Sequence, residues 1–370
     1  MEHSISLSNT SFRPRITGVG ILAIALSIWG CIAIYNATSD VQPSYLFTAK
    51  QLAWLPVGIA VLVILTSLNP QLFRRGAIPA ALIMYITLWL VLYYGVQVNG
   101  MRGWFNFFGI FLQPSEIGKP IFVLLIAAVF AEGQRRQMNW PKAFVILLAV
   151  LGGWLIPIAL QPDFGAILLY TAVFLGICWC VGCPARYIGG TAVLTSILGY
   201  FIVRWTPYVW ERFYAFLNPQ DYPQTAGWHV MQFQNVITSG DLTGNTFTVW
   251  SDASSFLPVA YSDSIFACTA GSFGYIGVVP LIILLGGWLT YGFWQTLSTE
   301  NIFRKTVLAG CTLMLGIQAL LHLSINLGLF PVTGLTLPLI SYGGSSLVAT
   351  MATVGILEAA AYRTQADDRQ

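Results

Sequence analysis

The chain has 370 residues, of which 56% are hydrophobic and only 8% charged, against about 25% charged in an ordinary soluble domain. That balance excludes a soluble enzyme and describes a polytopic, all-α membrane protein. The net charge of +3 reflects where the basic residues fall along the chain and does not argue for nucleic-acid binding.

A helix needs roughly 20 mostly apolar residues to cross a bilayer, and about ten transmembrane helices are expected, at 17–37, 53–69, 77–94, 115–131, 143–160, 164–182, 187–204, 264–292, 307–329 and 343–361. The first follows Arg13 and Arg15. It is long for a signal-peptide core and no small-residue cleavage site follows it, so it reads as a retained helix. Short outer loops at 95–113 and 330–342 are rich in Gly, Pro and aromatic residues, and a long one at 205–263, between helices 7 and 8, carries Glu211, Arg212, Asp221, Asp241, Asp252 and Asp263. Long loops in compact proteins are usually functional. With the N-terminus inside, the cytoplasmic segments hold Arg13, Arg15, Arg74, Arg75, Arg135, Arg136, Lys142, Arg186, Arg304, Lys305, Arg363 and Arg369. The positive-inside rule then places both termini in the cytoplasm. The expected organisation is a tail at 1–16, one membrane domain at 17–361 and a tail at 362–370. Cys178, Cys180 and Cys183 cluster at a helix end without His, Asp or Glu nearby, which reads as packing of buried thiols, with no metal site and no disulfide framework implied.

Three acidic positions stand out. Glu116 and Lys119 are spaced i, i+3 in "QPSEIGKPIF", so they share a helix face and can neutralise each other. Asp163 in "QPDFG" lies at another helix end and could share Lys119. Such a network is either structural or lines a substrate cavity, because intramembrane charge is costly and commonly functional. Asp263 in "LPVAYSDSIF" has no basic neighbour in sequence. It reads either as a helix N-cap or as a general base whose pKa is raised by desolvation. In "SYGGSS", Gly343, Gly344, Ser345 and Ser346 suit either an anion cradle at a helix N-terminus or tight packing of small residues.

With these residues in view, the chain resembles the SEDS family, the FtsW/RodA/SpoVE group. The resemblance rests on "KQLAWLPVG", "NGMRGWFNFFGIFLQPSEIGKP", "QPDFGAILL", "RFYAFLNPQDYPQTAGWHVMQ", "SGDLTG", "LPVAYSDSIFA" and "PVTGLTLPLISYGGSSL", in order over nearly the whole chain. It implies a ten-helix bundle with a large extracytoplasmic loop between helices 7 and 8, in a bacterial inner membrane. The implied activity is peptidoglycan glycosyltransfer, joining the lipid II disaccharide to a glycan with release of undecaprenyl pyrophosphate. It serves cell shape or division, the elongation-type RodA role being slightly preferred, with a class B penicillin-binding protein as partner. By the same resemblance Asp263 is the catalytic acid acting on the acceptor hydroxyl. Arg102, Trp104, Gln113, Ser115, Glu116, Lys119, Gln161, Asp163, Arg212, Gln232, Ser341, Gly343, Gly344 and Ser345 are the substrate-binding or buried polar positions. Arg102, Arg212 or a divalent cation, Mg or Mn, can stabilise the leaving pyrophosphate.

The chain departs from the family pattern around Asp263. Val259 replaces a glutamate, Tyr261 and Ser262 replace His-Thr, and Ser264 replaces a Phe; Gly271 and Ser272 replace paired glutamates, His229 a glutamine, and Gly103 an arginine. Either the site is rebuilt around Asp263, or activity is weak or lost, leaving a scaffold of a cell-wall synthesis complex. A lipid-linked precursor transporter would need broken helices in paired repeats, which the sequence does not display.

Overall fold

The computed structural model of the protein describes residues 16–38, 45–98, 100–222, 226–244, 257 and 259–362. Both terminal tails, with Arg13, Arg15, Arg363 and Arg369, and part of the 205–263 loop, including Asp252, lie outside the described residues. Among those described, twelve α-helices form in chain order: α1 (Gly18–Ala37), α2 (Leu46–Thr66), α3 (Pro70–Tyr94), α4 (Pro114–Arg135), α5 (Trp140–Leu160), α6 (Phe164–Cys180), α7 (Ala185–Trp205), α8 (Pro207–Leu217), α9 (Ala226–Ser239), α10 (Ile265–Leu297), α11 (Ile302–Asn326) and α12 (Gly344–Ala361). Nine are long and apolar enough to cross a membrane, and α6 is apolar but only 17 residues long. Helices satisfy their own backbone groups, which a hydrocarbon solvent demands. The four donors left at each N-terminus attract polar caps: Thr17 on α1, Asn69 on α3, Asn139 on α5, Asp163 on α6 and Asn301 on α11 each accept from a first-turn backbone N–H.

The bundle is layered. Of the apolar windows of α4 and α12, 78% is buried, and of α11 67%, whereas only 6% of α7 is. Helices α4, α11 and α12 therefore form the centre, and α7 stands at the periphery with Val193, Leu194, Ile197, Leu198 and Phe201 exposed. At one end of the bundle Glu358 of α12 accepts from the Thr17 backbone N–H at 3.0 Å, from the Thr17 hydroxyl and from Gly20 N at 2.8 Å, tying α1 to the centre. Arg304 closes the same end by donating to Ala360 O and Tyr362 O. The opposite end holds Asp263, Gly343 and the loops 95–113 and 330–342.

Two features differ from the all-helical expectation. Between α3 and α4 the chain forms a three-stranded antiparallel sheet, β1 (Val96–Val98), β2 (Met101–Phe107) and β3 (Ile110–Leu112). Its β2–β3 register pairs Phe105 with Leu112 and Phe107 with Ile110. The two-residue turn between them puts Phe108 and Gly109 at positive φ, the geometry a tight hairpin prefers. The second feature is α10, which spans 33 residues but breaks at Gly274 (φ 58°, ψ −160°). The break is repaired from outside the helix: Tyr275 N donates to Asp241 O at 3.1 Å and Ile276 N to Leu242 O at 3.2 Å. The segment following α9 thus serves as the missing turn of α10.

Candidate active site

Asp263 stands two residues before α10, at the wall of a cavity of about 1670 Å³. Its Oδ1 accepts from Ser262 Oγ at 3.1 Å, the one hydrogen bond to this carboxylate among the described residues. Burial pushes its pKa up, while the Ser262 hydrogen bond and the Arg212 charge act in the opposite direction. Ser264, not Asp263, occupies the N-cap position of α10, and makes no capping bond to its first turn. The capping reading of Asp263 is therefore corrected.

The loop 330–342 packs against Asp263 and is held from four sides. Arg212 of α8 donates to Val332 O at 2.9 Å, and Gln318 of α11 donates to Thr336 O at 2.9 Å. The His322 ring Nδ1 lies 2.7 Å from Leu335 O. Ser341 Oγ donates to Ser262 O at 2.8 Å while accepting from Leu337 N, and Tyr342 N donates to Tyr261 O at 2.9 Å. From α2, Gln51 donates to Ser341 O and accepts from Gly343 N. Gly334 has φ +76°, a backbone conformation that L side chains rarely adopt, and a Cβ there would be in ordinary van der Waals contact with Asp263 Oδ2 at 3.8 Å. Phe47, Tyr261 and Tyr342 form an aromatic corner on the same wall, with Phe47 and Tyr261 stacked at 4.1 Å and Tyr342 edge-on to both. Burial raises both phenols, so they stand as neutral hydroxyls.

A second cluster lies deeper. Lys119 Nζ is 2.6 Å from Glu116 Oε1 and donates to Gln318 Oε1 at 2.9 Å; both charged residues are buried. Asp163 does not share Lys119, contrary to the sequence expectation. Its oxygens accept from Ser115 Oγ at 3.1 Å, Gln113 Nε2 at 3.3 Å and Ala166 N at 2.9 Å. The reason is geometric: Asp163 caps α6, and α4 offers it the nearer Gln113 and Ser115. Thr336 joins the clusters, accepting from Gln318 and sharing a hydrogen bond with Ser346 Oγ at 2.7 Å.

The cavity wall includes Trp104, Gln113, Glu116, Asp163, Arg212, Asp263, Gly343, Gly344 and Ser345, together with apolar residues of α5, α6 and α7. The remaining positions fall elsewhere. Arg102 is exposed on β2, its guanidinium donating to Leu92 O. Gln161 is fully buried and donates to Leu88 O. Ser115, Lys119 and Ser341 support the wall from behind, and Gln232 is on α9, off the wall. The hydroxyls proposed as an anion cradle are committed to protein. Ser345 bonds to Gln113 N and Phe111 O, and Ser346 to Thr336. Gly344 is needed for close approach, because a Cβ there would lie 2.3 Å from the Trp54 ring.

Two of the departures, Gly271 and Ser272, lie where α10 meets α9 and the segment after it. A Cβ on Gly271 would lie 2.8 Å from Val236 of α9, one on Gly240 2.1 Å from Ala270 O, and one on Gly244 2.0 Å from Ser272 O. At these glycines α9 and the segment after it lie directly on the backbone of α10. Three residues that sequence reasoning passed over prove central: Gln51, Gln318 and Asn326. Gln318 and Asn326 are neutral amides in apolar runs, and Gln51 follows Lys50 at the head of one; an uncharged amide buried in a membrane helix needs partners, which is the available signal.

The family model described as "Cell cycle protein", FTSW_RODA_SPOVE, matches residues 17–366. The chain is 29% identical to the probable peptidoglycan glycosyltransferase FtsW of Geobacter metallireducens over 91% of this chain and 92% of that one. It is 30% identical to the putative peptidoglycan glycosyltransferase FtsW of Mesostigma viride over 92% and 81%. Among solved structures, a chain from a peptidoglycan synthase complex superposes with a TM-score of 0.77 at 27% identity, covering 93% of this chain and 96% of that one. Thermus thermophilus RodA, a rod shape determining protein, gives 0.69 at 26%, covering 93% and 95%. With the motifs, the bundle and the matched span in agreement, the chain belongs to the FtsW/RodA/SpoVE family.

Proposed function

We propose that the protein is a peptidoglycan glycosyltransferase that polymerises lipid II in the bacterial cytoplasmic membrane, with Asp263 as its general base. The observation that carries this reading is a lightly hydrogen-bonded carboxylate on the wall of a cavity that continues along the apolar faces of α5, α6 and α7. A polyprenyl tail suits those faces, while its sugar headgroup reaches Asp263. The acceptor hydroxyl attacks the anomeric carbon of the lipid-carried sugar, its proton passes to Asp263, and the bond from that carbon to the pyrophosphate oxygen breaks. Undecaprenyl pyrophosphate leaves with the bonding electrons. A positioned base contributes about 10²–10⁴-fold to such a step. Arg212, fixed by Val332 O, faces the developing charge; Arg102, exposed on β2, is less well placed to do so.

Among the described residues no three Asp, Glu, His or Cys side chains converge to hold a metal. A Mg or Mn ion would therefore be brought by the pyrophosphate oxygens, the usual way Mg is bound with few protein carboxylates. The loop end carrying Asp263 faces outward and both termini lie in the cytoplasm, as the distribution of basic residues favours. The partner is a class B penicillin-binding protein that cross-links the glycan, in elongation or in division. The solved peptidoglycan synthase complex with a similar chain supports a partnered enzyme.

The test is polymerisation of lipid II by the purified protein with its partner, comparing wild type with Asp263→Asn. Glycan from the wild type alone supports the enzyme. Absence of glycan from both favours the second reading, a non-catalytic scaffold, which the replaced residues around Asp263 motivate.

A further inference from the structure

The first turn of α10 begins two residues after Asp263, behind the N-cap Ser264, and its backbone donors need an acceptor. The N-cap residue, Ser264, would ordinarily supply one from its side chain. Here it does not. Ala267 N, in the first turn, donates to Asn326 Oδ1 at 3.1 Å, a side chain 59 residues away on α11. The same amide donates from Nδ2 to Asp263 O at 3.0 Å and to His322 O, one turn earlier in its own helix, at 3.0 Å. Asn326 is completely buried, so both ends of its amide are used and its orientation is fixed by the requirement that oxygen face the N–H and nitrogen the carbonyls.

We infer that Asn326 is the positioning residue of the active site: by capping α10 from a neighbouring helix and bonding to Asp263 O, it leaves the Asp263 carboxylate uncommitted to the helix and holds its backbone so that the acid faces the cavity. The inference rests on the proposed role of Asp263 as base. Asp163 shows the alternative within the same molecule. At the N-cap position itself, its carboxylate accepts from Ala166 N at the start of α6. A backbone N–H accepted at a helix N-terminus favours the ionised carboxylate; at Asp163 it acts against burial, which still raises that carboxyl's pKa. Among the described residues, the charged and titratable groups facing Asp263 are Arg212 from α8 and Tyr261 from its own loop, and neither depends on Asn326.

The test uses Asn326→Ala in the full chain with its partner. Removal of the amide leaves Ala267 N without an acceptor and invites the Asp263 carboxylate to turn onto the helix. The expected result is a kcat lower by about tenfold or more with KM for lipid II nearly unchanged, and an acid limb of the pH–rate profile displaced to lower pH. A neutral cap supplied locally in Ser264→Asn/Asn326→Ala should restore part of kcat and return the acid limb. A merely structural role would lower stability without moving the pH profile. The activity-independent arm is titration of the Asp263 carboxyl, isotope-labelled, by infrared or NMR spectroscopy in both proteins. The carboxyl is expected to bind its proton about tenfold less tightly in the variant. That shift upholds the inference even where wild type makes no glycan, in which case the proposed function fails alone. An unchanged titration overturns the inference whatever the activity. Should Asn326→Ala fail to fold, Asn326→Ser, which keeps an acceptor but shortens its reach, carries the same comparison.

Discussion

Asp163 and Asp263 stand one and two residues ahead of an α-helix, in loops at the same end of the bundle, and both line the cavity. Their surroundings differ in kind. Asp163 is met by Gln113, Ser115 and the backbone of Ala166, so its charge is compensated by its own helix and by α4. Asp263 has Ser262, while the first turn of its helix is served by Asn326. The difference separates two uses of a buried acid: one satisfied by the fold and available chiefly to hold helices together, the other held with unfilled hydrogen-bonding capacity toward a cavity. Lys119 belongs with the first, bound to Glu116 Oε1 and to Gln318, while Glu116 Oε2 has no hydrogen-bond partner among the described residues.

The comparison can be broken most forcefully at Lys119. Lys119→Met leaves Glu116 as a buried carboxylate without its cation, and loss of one partner of a buried pair costs about 3–5 kcal/mol. We expect a large drop in thermal stability in detergent, and we expect Glu116→Gln/Lys119→Met to recover much of it. Equal stability of the single variant and wild type would show that the pair is not structural. Next in size is Ser115→Ala, which removes one donor from Asp163 and should cost about 1–3 kcal/mol of stability, read by the same thermal scan, with turnover per folded molecule little changed.

Smaller effects sharpen the other side. Burial holds the Asp263 carboxyl above the ordinary carboxylate range, so the base is ionised only above that raised value, and polymerisation should rise with pH through that window. The sign for stability is opposite. The folded protein binds this proton more tightly than the unfolded chain, so the Asp263 contribution is most favourable at low pH and declines as pH rises through the raised value. A pH–rate profile whose acid limb lies at or below the ordinary carboxylate range would contradict the burial argument. Smallest is the effect of Tyr261→Ala, which opens the aromatic corner with Phe47 and Tyr342. Loss of such ring packing is worth about 0.5–1.5 kcal/mol and should appear as a KM for lipid II raised by up to about tenfold, with Tyr261→Phe close to wild type.

Much of the scaffold was legible because apolar length is a direct requirement of the bilayer. The expected segment at 115–131 lies inside α4 and that at 343–361 matches α12 within a residue. Other boundaries were drawn too tight. Helix α3 begins at Pro70, capped by Asn69, and takes in Arg74 and Arg75, because a helix continues past the hydrocarbon once a cap and the interface permit it. The sheet at 96–112 was not read, since aromatic residues crowd both of its faces and no polar alternation marks the strands. The kink of α10 was equally hidden, because the acceptors that repair it come from Asp241 and Leu242, outside the helix. At the site, the acids and Lys119 could be singled out because charge in an apolar chain is conspicuous. Their partners could not: whether Asp163 meets Lys119 or Ser115, and whether Asp263 or Asn326 caps α10, depends on distances between helices far apart in sequence.

Side-by-side assay of Asp163→Asn and Asp263→Asn tests the division between the two acids most directly, with thermal unfolding and lipid II polymerisation measured on the same preparations. We expect Asp263→Asn to unfold at or above the wild-type temperature and to lose about 10²–10⁴-fold in rate, and Asp163→Asn to unfold earlier while each folded molecule still makes glycan. A stable, inactive Asp163→Asn beside an active Asp263→Asn would contradict the assignment of the two roles.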